Sequence, residues 1–486
     1  MPESNAPAEF LNLIDGKWRP GGGWIENRNP ADTRHVVGLF ARGSADDMRA
    51  AVEAAARAFP TWAGTPAPVR GAYLFRAAEL LDARFEQLAK EMTLEEGKTL
   101  PEARGEVRRA INIFRYFGGE GARLPGMLAP SERERVFTFA IRKPLGVVGL
   151  ITPWNFPSAI PAWKLAPALV SGNTVVLKPA SSAPLSGWRL VEALVDAGLP
   201  AGVVNIVVGP GASLGEALVD ARPTRAVSFT GSCAVGGALY DRAVRRRLRV
   251  QLEMGGKNPT VVLADADLDR AVDNTINGAF ASTGQKCTAT SRVIVEAPIY
   301  DRFVERLVAR TRALRVGPGM ESATEIGPTI DADQLQTVLR YIEAGVKEGA
   351  TLACGGRRLE EPPLDHGFFV EPTIFADVND SMTIAQEEIF GPVLAVLRAR
   401  DFDDAMRLAN DVAFGLSASV QTQDVGRVFE FVNRIEAGLV TVNLPSAGVE
   451  YQLPFGGTKE SSFGPKEQGP NAIDFYTDWK TVYLKY

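Results

Sequence analysis

From residue 145 onward the chain alternates short, continuous apolar runs with segments of helical spacing, and this rhythm restricts the fold more than any other feature. The runs are 146–151 (GVVGLI), 173–177 (NTVVL), 203–208 (VVNIVV), 225–229 (RAVSF) and 249–253 (RVQLE), with helical stretches such as 184–197 and 234–247 between them. A strand that is apolar on both faces needs helices over both, so the pattern predicts a parallel, doubly wound sheet. A second alternating series, from 261 to about 442, predicts another α/β unit. At 486 residues the chain exceeds one ordinary core, so more than one domain is expected.

Upstream, residues 44–117 read as helices. Ser44 with Asp47 makes a capping-box start, Met48, Val52, Ala55 and Phe59 recur at helical spacing, and Pro60 is expected to stop the run. Leu74, Ala78, Leu81, Phe85, Leu88 and Met92, then Val107, Ile111 and Phe114, continue the stripe as core faces with no chemistry assigned. Residues 131–142 (SERERVFTFAIR) and 474–486 (DFYTDWKTVYLKY) read as extended strands outside either sheet. Such strands need a partner, either within the chain as a ribbon or across a subunit interface.

In an open parallel sheet, ligands gather beyond the carboxyl ends of the strands. Here those ends are unusual. They read Thr152-Pro153-Trp154-Asn155-Phe156-Pro157, Lys178-Pro179, Gly209-Pro210-Gly211, Thr230-Gly231-Ser232 and Glu253-Met254-Gly255-Gly256-Lys257. Each alone is more often plain turn chemistry, and the glycines at 209, 211 and 215 are spaced one residue too far for a dinucleotide loop. Together they form a coherent set. A strand-end lysine can hold ribose hydroxyls or phosphate, Gly231-Ser232 opening a helix offers N–H groups to a pyrophosphate, and the Asn155 amide suits an oxyanion.

Composition narrows the chemistry. A net charge of −5 argues against a nucleic-acid footprint, and no apolar run approaches the ~20 residues of a membrane span. Met1 to Glu9 has neither the basic nor the apolar region of a signal peptide. Cys233, Cys287 and Cys354 are too few and too scattered for a disulfide framework, which suits a reducing cytoplasm. With only His35 and His366, a histidine triad or histidine-rich metal site is hard to build; no metal is expected, and a carboxylate must serve as base. Cys287 lies in Ala-Ser-Thr-Gly-Gln-Lys-Cys-Thr-Ala-Thr-Ser-Arg (281–292), where small neighbours would let a substrate carbon approach; an inert core thiol is the competing reading.

PWNFP at 153–157, LEMGGKNP at 252–259, GQKCTA at 284–289, EEIFGP at 387–392 and PFGG at 454–457 resemble the aldehyde dehydrogenase superfamily, in order and approximate spacing, from about Asp15 to the C-terminus. The resemblance implies two doubly wound α/β domains, a Rossmann-like cofactor domain (1–121 and 144–252) and a catalytic domain (253–440). It also implies a β-strand oligomerisation arm (122–143 and 466–486) that makes a homodimer or homotetramer. By the same resemblance Cys287 matches the nucleophile, Glu253 the general base and Asn155 the oxyanion amide. Lys164 matches a lysine near the catalytic centre whose role is either catalytic or structural. Thr152, Pro153, Trp154 and Gly211 fall on the cofactor side, Lys178 matches the adenosine-ribose lysine, and Gly231 and Ser232 the pyrophosphate turn. Glu388 and Phe390 match residues at the nicotinamide ribose.

The implied reaction is NAD(P)-dependent oxidation of an aldehyde to the acid, through a thiohemiacetal and a thioester that water hydrolyses. CoA-acylating relatives generally lack the carboxylate matched by Glu253, and a non-catalytic structural protein on the same fold is a further alternative. NLPSAGVEYQLPFGG (443–457), SSFGPKEQG (461–469) and IPAWKLAPAL (160–169) resemble the α-ketoglutaric and succinic semialdehyde dehydrogenase group, which implies a substrate carrying a carboxylate. Trp163 stands where animal succinic semialdehyde dehydrogenases have an arginine. Arg292, Ser446 and loop N–H groups are therefore the candidates to bind the acid, and a broad or uncharged-aldehyde specificity of the betaine- or benzaldehyde type is the alternative. NAD-preferring relatives read K-P-A-E where this chain has Lys178-Pro179-Ala180-Ser181, so NADP is expected to be preferred and NAD usable.

Overall fold

The computed structural model describes residues 7–486; residues 1–6, part of the stretch read above for a signal peptide, lie outside them. A hairpin of β1 (Asn12–Ile14) and β2 (Lys17–Arg19) precedes four helices, α1 (Ala45–Gly64), α2 (Ala67–Ala83), α3 (Phe85–Glu96) and α4 (Leu100–Glu120). The capping box forms as its residues predict: Ser44 Oγ accepts from the Asp47 N–H, and Asp47 reaches back to the Ser44 N–H. Pro60 does not end the helix. α1 runs on to Gly64, because a proline removes only one hydrogen bond and the last turn is pinned by buried Trp62, whose Nε1 donates to Leu169 O at 3.2 Å.

After β3 (Met127–Ala129) and β4 (Val136–Pro144) come the five expected strands: β5 (Val147–Ile151), β6 (Thr174–Lys178), β7 (Val204–Ile206), β8 (Thr224–Thr230) and β9 (Arg249–Glu253). They are parallel, in the order β9-β8-β5-β6-β7, and antiparallel strands extend both edges. Alternate residues feed two cores. Val148, Leu150, Val175 and Leu177 pack under α2, α4, α5 (Ala159–Val170) and α6 (Leu185–Asp196). Val147, Val176, Val227 and Val250 pack under α1, α7 (Gly211–Asp220) and α8 (Cys233–Val244). That two-sided burial is why the strands read as continuous apolar runs.

The second sheet holds β10 (Pro259–Val262), β11 (Arg292–Glu296), β12 (Thr351–Cys354), β13 (Thr373–Ala376), β14 (Val393–Ala399), β15 (Ser417–Gln421) and β16 (Leu439–Val442). Its order is β12-β13-β14-β11-β10-β15-β16, parallel except for β12, with α9 (Leu268–Phe280) and α10 (Ala332–Lys347) among its covering helices. β17 (Ser462–Phe463) returns to the first sheet against β9.

The two extended segments pair with each other inside one chain. β18 (Thr477–Lys485) runs antiparallel to β4 from Thr477 opposite Pro144 to Lys485 opposite Val136, with β3 on the far edge of β4. Residues 474–476, expected as strand, complete a short helix over Ala472–Tyr476, where Phe475 and Tyr476 are buried against the first core.

Candidate active site

β5 and β8 are neighbours, yet the chain leaves β5 toward β6 on one side and β8 toward β9 on the other. The crevice beyond this switch point is where an open α/β sheet binds its ligand. A cavity of about 260 Å³ opens there, lined by Pro153, Trp154, Asn155, Thr230, Gly231, Ser232, Cys287, Glu388 and Phe390. Eight of the sequence-derived site residues, with Thr230 beside them, thus meet in one place. The first sheet supplies the first six, and the loops of the second supply the last three.

Two buried hydroxyls at the strand ends, Thr152 Oγ1 and Thr230 Oγ1, have no hydrogen-bond partner among the described residues. Ser232 caps α8, its Oγ accepting from the Val235 N–H, so the first turn of that helix points N–H groups into the crevice. Lys178, 5% exposed at the end of β6, forms no ion pair among the described residues; burial lowers its ammonium to about 8. A side chain added at Gly211, the first residue of α7, would stand 3.7 Å from Lys178 Nζ. Unsatisfied donors, a lone cation and glycine-lined backbone fit a dinucleotide, with Lys178 and Gly211 toward one end and Glu388 and Phe390 toward the other. Ser181 differs in detail from expectation. Its Oγ donates to Gly209 O at 2.7 Å, so its proton is already committed, and what the serine offers a 2′-phosphate is space.

Glu388 Oε1 accepts from the Gly256 N–H at 2.9 Å, and Gly255 lies so close that a Cβ there would sit 2.2 Å from Oε2. Burial raises the carboxyl to about 7. Phe390 adopts a left-handed φ of 58°, which a phenylalanine tolerates only when held. Gln334 on α10 holds it, Nε2 donating to Ile389 O at 3.1 Å and Phe390 O at 2.9 Å, and the ring meets Trp154 edge-on at 5.4 Å.

Cys287 is half-buried at the inner wall. Burial first, then the carboxyls of Glu388 and Glu253, push its thiol up to about 12, while the backbone N–H groups of Thr288 and Cys287 oppose the rise. The loop is rigid. Ser282 and Thr283 carry φ of 54° and 58°, Gly284 packs on Gly391, and Asn258 Nδ2 holds Cys287 O at 2.7 Å and Ala289 O at 2.8 Å. The Asn155 Nδ2 donates to Gln285 O at 2.9 Å, which keeps the amide against the cysteine loop. Glu253, at the end of β9, is buried; its Oε2 accepts from Ser462 Oγ at 2.6 Å, and burial, then the charge of Glu467, raises its carboxyl well above the ordinary value.

Lys164 does not line the cavity. It is fully buried, donates to Ser228 Oγ at 2.7 Å and pairs with Glu467, and its charge partly opposes the rise of the Glu253 carboxyl. Arg292 and Ser446, expected as candidates for a substrate acid, are both committed elsewhere. The Arg292 guanidinium is 1% exposed and donates to the carbonyls of Lys257, Leu408 and Ala409, the internal alternative to an unpaired buried charge. Ser446 Oγ donates to Thr288 O at 2.8 Å and braces the cysteine loop from behind. The periodic pattern had no means of finding Gln334 or Asn258 in these supporting roles, since each acts through a contact distant in sequence.

A cysteine facing a dinucleotide crevice, with a side-chain amide and a buried carboxyl at hand, defines a class of protein: a nicotinamide-linked oxidoreductase that works through a thiol. Residues 18–482 match the Aldehyde dehydrogenase family, and the chain belongs to that family. Among curated relatives it is 48% identical to the alpha-ketoglutaric semialdehyde dehydrogenase of Bacillus subtilis over 98% of both chains. It is also 48% identical to the alpha-ketoglutarate semialdehyde dehydrogenase of Haloferax volcanii over 98% of this chain and 99% of that one. Among solved structures, the betaine aldehyde dehydrogenase of Staphylococcus aureus in complex with NAD+ superposes with a TM-score of 0.95 at 33% identity, covering 98% and 95% of the two chains. An E. coli NADP dependent enzyme gives 0.95 at 36% identity over 100% of both. No described helix is long and apolar enough to cross a membrane.

Proposed function

We propose that this chain oxidises an aldehyde bearing a carboxylate to the corresponding diacid, with Cys287 as nucleophile. The observation that carries the assignment is that Cys287 lines the crevice together with Asn155 and Glu388, with the cysteine's own N–H close to the sulfur. Burial holds the Cys287 thiol neutral at rest, so its proton passes to solvent as the S–C bond forms, and the Asn155 amide and the Cys287 N–H take up the charge that develops on the aldehyde oxygen. The bound nicotinamide is the hydride acceptor that the oxidation requires. The ionised carboxylate of Glu253, whose proton affinity burial raises, takes a proton from the water that attacks the acyl carbon, and the Cys287 sulfur leaves with a proton from solvent. Thr152, Pro153, Trp154, Lys178, Ser181, Gly211, Gly231, Ser232, Glu388 and Phe390 hold the dinucleotide, and the room at Ser181 beside Lys178 favours NADP over NAD. Residues 1–121 and 144–252 form the cofactor domain, 253–440 the catalytic domain, and 122–143 with 466–486 the arm of a cytoplasmic homo-oligomer. The names of the relatives support the substrate class.

Cys287→Ser is expected to keep the fold and cofactor affinity and lose nearly all oxidation. Glu253→Gln is expected to give a stoichiometric burst of reduced cofactor followed by slow turnover, and to lose the rise of the slow phase with pH that ionisation of the carboxyl produces in the wild type. Stopped-flow absorbance reads both. Full turnover in Cys287→Ser would end the assignment, as acyl-CoA formation on adding CoA would end the choice of water.

A further inference from the structure

Beside the cavity, one cluster of side chains is left with donors that nothing satisfies. Arg109, in the middle of α4, lies over Trp163 of α5, its Cζ 5.8 Å from the ring centroid. Its Nη1 donates to Val449 O and its Nη2 to Gln468 Oε1 at 3.0 Å, but Nε is buried without a partner among the described residues. Two neutral donors next to it are in the same condition: Nε1 of Trp163, 5% exposed, and Nε2 of Gln468, fully buried. Buried N–H groups are seldom left unpaired, and three together call for an acceptor. Burial lowers the pKa of Arg109, yet a guanidinium stays charged at neutral pH, so the acceptor that fits is an anion with two oxygens.

The cluster lies one layer behind the groups assigned to the reaction. Trp163 follows, one turn along α5, from Ile160, which lines the cavity with Cys287 and Asn155. Its ring packs on Phe455 at 5.4 Å, and the next residue, Gly456, abuts Glu253 Oε1. Arg109 also lies within electrostatic reach of Cys287. Of the carboxylates near it, Glu106 is spent on Lys98 and two N–H groups of α5, and Glu450 is exposed. Where the resemblance placed an arginine on α5 in other members, this chain has the indole, and the cation comes from α4 instead.

We propose that Arg109, seated between Trp163 and Gln468, binds the carboxylate of a short ω-oxo acid and selects it over uncharged aldehydes. The proposal rests on the reading of Cys287 as nucleophile and of the substrate as an acid-bearing aldehyde. The test is kcat/KM for 5-oxopentanoate and for pentanal, which match in length and differ in the carboxylate, in the wild type, R109M and R109K. The wild type is expected to prefer 5-oxopentanoate. In R109M the preference falls by about 30-fold, chiefly through KM, while pentanal gains from an apolar neighbour; in R109K, which keeps the charge without the fork, it falls by about fivefold. Glutarate is expected to compete with pentanal in the wild type and to lose that competition in R109M. A wild type that prefers pentanal overturns the substrate class. A wild type that prefers the oxo acid, with both variants retaining that preference or losing activity equally on both aldehydes, overturns the role of Arg109 and leaves the class standing.

Discussion

At the scale of single residues, the proposed preference for NADP rests on Lys178 and Ser181. The serine hydroxyl is bound to Gly209 O, so on that proposal what favours a 2′-phosphate is the absence of a carboxylate together with the ammonium of Lys178. Ser181→Glu is expected to move the NADP-to-NAD ratio of kcat/KM toward NAD by about tenfold or more, because like charges a few ångströms apart cost on the order of 1–4 kcal/mol. The lowered pKa of Lys178 has a sign that can be checked. Burial disfavours the charged form, so free enzyme loses this cation as pH rises through about 8. The Kd for NADP should therefore rise between pH 7 and 9 in the wild type, and be weak and flat in Lys178→Met, when followed by fluorescence titration.

At the scale of elements, α5 is positioned by a buried ion network rather than by an N-cap of its own. Glu106 of α4 accepts from the N–H groups of Ser158 and Ala159 at 2.8 and 3.0 Å and also holds Lys98 Nζ at 2.6 Å, while Lys98 donates to Asn155 O at 2.9 Å. One carboxylate thus caps the helix that follows Asn155 and anchors the lysine that holds the Asn155 peptide. Glu106→Ala leaves the buried Lys98 ammonium only Asn155 O and the more distant Glu96, 3.8 Å away, and is expected to cost about 3 kcal/mol in unfolding free energy and to lower kcat through Asn155. Calorimetry and steady-state rates measure the two effects. Glu96, at the end of α3, is raised to about 8, chiefly by burial and then by the charge of Glu106. The unfolded chain ionises near the ordinary carboxyl value of about 4.5 while the folded chain keeps its proton, so stability is lost as pH climbs from there to about 8. The Tm advantage of Glu96→Gln over the wild type is expected to grow between pH 5 and 8.

At the scale of the whole molecule, the sheet of β3, β4 and β18 satisfies its own strands and leaves its apolar side chains uncovered. Leu128 is 69% exposed, Tyr483 63% and Met127 59%, with Phe137, Leu484 and Trp479 exposed as well. By register, Leu128, Phe137 and Leu484 share one face of the sheet and Met127, Tyr483 and Trp479 the other; a second copy seated on the first face would cover it, at roughly 800 Å² per partner for an interface of ordinary size. Leu128→Asp with Phe137→Asp is expected to yield a smaller species in sedimentation velocity that keeps the far-UV spectrum of the wild type. An unchanged sedimentation coefficient would place the subunit contact elsewhere.

The residue pattern alone determined the five parallel strands of the first sheet, the capping box at Ser44, and the polar strand ends that meet at the switch point. These are local consequences of side-chain periodicity and turn chemistry, so they need no knowledge of what lies across the fold. Only the tertiary structure decided which cations are free to act. Arg292 reads as a candidate to bind a substrate acid but closes on the carbonyls of Lys257, Leu408 and Ala409, while Arg109, two positions from Val107 in a helix read purely as core face, meets a loop more than 300 residues away. Helical spacing says which face is buried and not what packs opposite, and a donor is spent or unspent only once its neighbours are in place. The same holds for Ser181, whose hydroxyl is taken by Gly209, and for Pro60, whose helix continues because Trp62 is held from another element.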